Sequence, residues 1–183
     1  MLAEVRVLIE RARAARISLD GLLDVLPPDY WSRAAPGSRW TVAEQLAHLA
    51  AADLMLATLL RAVIAGENAV WLGETSDPAE LLRRREEPIA RMAGLPRTEL
   101  RIEAGAARER VNTACADLDT AMLGASVEVA GALDRWGRQL RWELRGYLVY
   151  WAAHDQSHEA EIREAIATTP ELSTVALTQR RRI

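Results

Sequence analysis

The chain has 183 residues, 50% of them apolar and 27% charged, with a formal net charge of −3. That is enough sequence for one sizeable core in a single domain, and the balance excludes a disordered chain. Charges of both signs are interspersed, which leaves no basic footprint for nucleic acid. The single Cys115 excludes a disulfide framework and fits a reducing cytoplasm.

The apolar residues Leu2, Val5, Ile9, Ala12, Leu19, Leu22 and Leu26 recur at near-helical spacing and predict a first helix, ended by Pro27 and Pro28. The charged N-terminal stretch lacks the apolar core of a signal peptide. A loop of breakers, Ala35 to Ser38, leads to Thr41 with Glu44 three residues on, the pattern of a capping box. A second helix runs from there to about Ala65, where Gly66 stops it. Asp77, Pro78 and Glu80 open a shorter helix that Pro88 is expected to kink or end.

A third long helix begins near Thr98 and carries Leu100, Ala104, Ala107, Val111, Ala114, Leu118 and Met122. Cys115 lies within it and reads as a buried, inert thiol. Gly124 to Gly137 reads as an apolar linker packed on the bundle, with no strand-like alternation. The fourth long helix is expected from about Gln139 to Ala167, and Pro170 marks its end. No stretch approaches 18 uncharged apolar residues, so no membrane span and no membrane partner are expected. The expected fold is an all-α four-helix bundle over 1–168, with a long crossover that contains a short extra helix between helices two and three. Residues 169–183 read as a C-terminal tail.

Three histidines, His48, His154 and His158, are all the chain has. His154 and His158 are four apart, so on a helix they share one face. The apolar period of the fourth helix (Leu140, Leu144, Tyr147 and Leu148, Trp151, then Ile162 and Ile166) passes close to both. In the second helix His48 lies beside the core row Val42, Leu46, Leu49, Leu56 and Leu60, near the capped end. A lone histidine on an apolar face is most often a hydrogen-bonded core residue. Three on inward faces form the ligand set of an open metal centre, for burying imidazoles without partners costs about 1–3 kcal/mol each. Zinc suits such a set best, and nickel or iron also accepts imidazole. Glu161 shares the sector of His158. Its roles stay open between a ligand-orienting acceptor, a fourth ligand, a general base and a plain exposed companion. Trp151 and Met55 read either as ordinary core or as part of a pocket wall.

The motifs Trp40-Thr41-x-x-Glu44-x-x-x-His48-Leu49 and His154-Asp155-x-x-His158-x-x-Glu161-Ile162-Arg163 resemble those of the bacterial DinB-like superfamily. Their order and separation, and the helix order with its long crossover, extend the resemblance over essentially the whole chain. The resemblance implies that His48, His154 and His158 hold one divalent metal. The group includes bacillithiol- and mycothiol-dependent transferases. It therefore implies a metal-dependent transferase in which the thiolate of a low-molecular-weight thiol attacks an electrophilic small-molecule substrate. A metal-dependent hydrolase and a non-catalytic metal- or ligand-binding bundle are the alternatives. Proteins that resemble this one are frequently homodimers. No thiol-binding residue can be carried over, and Arg163 reads as a solvent-facing or salt-bridged group.

Overall fold

A computed structural model describes residues 1–67, 69–71, 77–133 and 137–167. The tail expected over 169–183 lies outside the described residues. The helices are α1 (Ala3–Asp24), α2 (Val42–Ile64), α3 (Pro78–Ala93), α4 (Arg97–Cys115) and α5 (Leu144–Ala167). The four long ones form the expected bundle, with α3 in the crossover. α1 packs closely along α5, and α2 along α4. The contact between α2 and α5 is sparser.

Local chemistry accounts for the helix starts. Thr41 Oγ1 accepts from the Glu44 N–H at 3.3 Å, and a Glu44 carboxylate oxygen accepts from the Thr41 N–H at 2.8 Å. Asp77 accepts from the Ala79 N–H at 3.0 Å, with Pro78 at the first helical position where its missing N–H is harmless. Of the two outcomes expected at Pro88, an end to the helix does not occur, since α3 continues to Ala93. α2 contains an 18-residue window of mean hydropathy 1.6, long and apolar enough to match a membrane span by length and composition. It is nevertheless an interior helix of the bundle, packed on α3, α4 and α5, and it carries the buried polar residues Gln45 and Asp53.

The expectation of no strands is corrected. β1 (Ala69–Trp71), β2 (Ser126–Leu133) and β3 (Gln139–Glu143) form a sheet in that order, β1 parallel to β2 and β2 antiparallel to β3. The segment 126–133 within the supposed linker is therefore a strand, and 139–143, read as the start of the last helix, is its hairpin partner. The reason lies in a double periodicity. Leu140 and Leu144 are four apart, as on a helix face, yet Leu140 and Trp142 also alternate with exposed neighbours, as on a strand. A short apolar run cannot separate the two. Pairing of Val127 with Trp142, and complete burial of Val127, favour the strand. α4 likewise stops at Cys115 instead of reaching Met122, whose N–H is taken by the Asp119 carboxylate at 2.8 Å.

The core falls into two apolar clusters. One gathers Val5, Ile9, Leu56, Leu60, Val111, Cys115, Leu144, Leu148 and Trp151. The other gathers Leu19, Leu23, Val42, Leu46, Leu49, Leu100, Ala104 and Ile162. Burial pushes the Cys115 thiol up to about 12, which makes it inert at neutral pH.

Candidate metal centre

Two helices make the histidine cluster. α2 brings His48, and α5 brings His154 and His158 one turn apart. His154 Nε2 lies 3.2 Å from His48 Nε2 and 3.1 Å from His158 Nε2. One nitrogen of each ring falls within 4.8 Å of the others. Two imidazole nitrogens on one tetrahedral zinc are about 3.3 Å apart, from bond lengths of about 2.0–2.1 Å.

The proton positions also fit a cation. His158 Nδ1 donates to Gln45 Oε1 at 3.2 Å, so its Nε2 keeps a lone pair. His154 Nε2 faces the Nε2 of both neighbours, and a proton on it serves only one of those two contacts. At least one of the two contacts is left without a matched donor and acceptor, a conflict that a shared cation removes. Burial is the largest influence on every ring and drives out the charged form. It lowers His48 to about 3, aided by the charges of His154, His158, Arg85 and Arg39. It lowers His154 to about 4, with His158 next in effect. His158 is lowered as well, against the opposing charges of Glu161 and Asp155. Neutral imidazole is the form a metal needs. Trp40 stacks on His48 with ring centres 4.3 Å apart and fixes the outer face of that ring.

Glu161 stands apart from the convergent nitrogens. It is partly buried and accepts from Ser38 Oγ at 3.4 Å, and it acts on His158 by charge. Arg163 pairs with Glu159 at 2.6 Å. Glu159 also accepts from Ser18 at 3.0 Å, which ties α5 to α1.

His48 and His154 form part of the wall of a cavity of about 490 Å³, the size of a small-ligand pocket. Met55 and Trp151, the two residues weighed as wall or core, both line it. Trp142 from β3, Val129 from β2, and Tyr147 and Tyr150 from α5 join them. Sequence reasoning missed the contribution of the hairpin, because it had no hairpin. α3 and the loop before α2 add Arg39, Arg85, Glu86, Pro88, Ile89 and Arg91.

A polar layer that the sequence reading also missed lies next to the site. Each long helix contributes one charge: Arg16 from α1, Asp53 from α2, Arg108 from α4 and Asp155 from α5. All four are buried. Arg16 Nε donates to Asp155 at 2.8 Å, and Arg108 donates to Asp53 and to Asp155 at 2.9 Å each. Trp151 Nε1 donates to the remaining Asp53 oxygen at 2.8 Å. Burial pushes the Asp155 carboxyl up, but the Arg16 hydrogen bond and the two guanidinium charges hold it below the usual range. A signal was present. Arg16 follows Ala12 and precedes Leu19, so a charge interrupts the apolar row of α1, and the other three helices are interrupted in the same way.

Fold and site together define a helical bundle with a half-buried to buried three-histidine cluster beside an apolar cavity. The sequence pattern of the DinB superfamily matches residues 11–162, and the chain belongs to that superfamily. Among solved structures, the mycothiol-dependent maleylpyruvate isomerase superposes with a TM-score of 0.66 at 17% identity, covering 88% of this chain and 63% of that one. A mutant of the same isomerase gives the same values. This chain thus spans under two thirds of the isomerase's length. The structure described as sibling lethal factor precursor DfsB superposes with a TM-score of 0.67 at 19% identity, covering 90% of this chain and 95% of that one. At these identities the likeness is one of fold. No curated protein matches the sequence.

Proposed function

We propose that this DinB-superfamily protein is a divalent-metal-dependent transferase that uses a low-molecular-weight thiol, with His48, His154 and His158 as the metal ligands. The observation that carries this reading is the convergence of three neutral imidazoles on one point at the edge of a small-ligand cavity. Zinc is the ion that best suits three imidazoles with an open position, with nickel or iron as the other candidates. When bound, such an ion supplies Lewis acidity, which favours a thiolate over a thiol at neutral pH.

The chain's own residues do the rest. Gln45 holds the His158 tautomer, and Trp40 fixes the plane of His48. Met55, Trp142, Tyr147 and Trp151 exclude water from the reacting pair. Glu161 is assigned the role of a general base that works through Ser38 or a water, since its carboxylate is not among the convergent donors. The substrate is a small molecule, the compartment the cytoplasm, and the assembly a homodimer.

Elemental analysis of protein purified without a nickel column tests the metal. About one equivalent of a divalent ion is expected in the native chain, and a loss in His48→Ala and His158→Ala. Unchanged metal content in both variants ends the triad assignment. Incubation with a panel of cellular thiols and a haloarene tests the reaction, with thioether formation as the expected readout. Turnover without thiol would replace the transferase with a hydrolase.

A further inference from the structure

The cavity beside the histidines has a charge pattern as well as a shape. One side is apolar and aromatic, made by Met55, Trp142, Tyr147 and Trp151. The other side, made by α3 and the loop before α2, carries Arg39, Arg85 and Arg91, with Glu86 as its one carboxylate. Arg39 is taken by that carboxylate. The remaining acidic residues of α3 are spent as well, Glu80 on Arg83 and Arg84, and Glu87 on Arg83. Arg85 and Arg91 are left with no ion pair among the described residues.

An arginine that borders an apolar cavity with no carboxylate partner among the described residues has five N–H donors open to water or to a ligand. Its planar fork matches a carboxylate better than any neutral group. We infer that the cavity takes a small molecule with a carboxylate on an apolar, ring-bearing body. The carboxylate lies at Arg85 and the body runs along Met55, Trp142 and Trp151 toward His48 and His154. This deepens the proposed function by naming a substrate class for the same site, and it rests on the reading of that cavity as the substrate site. Arg85 is then a specificity-determining residue.

The test uses the full chain and a matched pair of probes, 2-naphthoic acid and 2-naphthamide, which share a ring system and differ in charge. Isothermal titration calorimetry is run on the native protein and on protein stripped with a chelator. The acid is expected to bind about 10-fold tighter than the amide in both forms, the scale of a hydrogen bond to a charged group. Arg85→Gln, at an exposed position with no ion pair to break among the described residues, should erase that preference while leaving amide affinity and metal content unchanged. Equal affinity of native protein for acid and amide would overturn the inference. So would a preference that survives in Arg85→Gln, or one lost only in Arg91→Gln. A preference present only with metal bound would place the carboxylate on the ion and also overturn it. Because the stripped protein is measured separately, a chain that proves to hold no metal can still display the Arg85 preference, so the two readings fail independently.

Discussion

Gln45 is one residue whose importance follows from a single contact. Its Oε1 receives the His158 Nδ1 proton at 3.2 Å, and its side chain is fully buried. Partners that orient a ligating imidazole are worth 10–100-fold in metal affinity as an order of magnitude. Gln45→Leu is therefore expected to weaken the proposed metal binding by about 10-fold or more, measured by competition with a chromophoric chelator, while the fold persists. The three imidazoles also set an acid response of the metal-free protein. Their folded-state values lie below the usual 6.5, at about 3 for His48 and about 4 for His154. Between those values and about 6.5 the unfolded chain binds more protons than the folded one, so stability rises with pH across that window. In the presence of a chelator, the urea midpoint should fall on going from pH 7 to pH 5. An unchanged midpoint would mean that the rings are not buried as described.

At the scale of the element, α2 carries the burden of placement. Its capping box fixes the first turn, and His48 and Asp53 follow on faces set by that start. Thr41→Ala removes the side-chain acceptor of the Glu44 N–H and should cost about 1 kcal/mol of stability, read by denaturant unfolding. This box, the Asp77 cap and the long apolar rows were all legible in the sequence, because each is a local pattern that a helix alone satisfies. The inward phase of His154 and His158 was legible for the same reason. The β2–β3 hairpin was not. Val127 and Trp142 owe their partnership to an antiparallel pairing of two strands, and nothing in either short run distinguishes it from a helix face. The cavity went unseen with it, since Val129 and Trp142 line it from that hairpin. Arg16, Asp53, Arg108 and Asp155 were each visible as breaks in an apolar row, but their mutual contact spans up to 139 residues and only the assembled bundle brings them together.

In the whole molecule, those four charges form a layer between the two apolar clusters of the core. On α1 the layer falls between Ala12 and Leu19, on α2 between Ala50 and Leu56, and on α5 between Ala152 and Ile162. The layer is neutral as a set, and both carboxylates have each oxygen matched to a donor. Removing one member strands a buried charge. Asp53→Ala is expected to destabilise the fold by about 3–5 kcal/mol, whereas replacing all four members with apolar residues of similar volume should restore most of the loss. Denaturant unfolding of both variants checks this, and a mild effect of the single change would show that water reaches the layer. The layer has a further consequence for how this chain can vary. A residue gained or lost in a loop leaves every helix in phase. A single deletion inside α2 between His48 and Asp53 turns one against the other by about 100°. Either the histidine would then leave its two partners or the aspartate would leave its guanidiniums. Insertions and deletions in this lineage should therefore collect in the crossover and the turns, and the five-residue step from His48 to Asp53 should stay fixed in length even where its residues change.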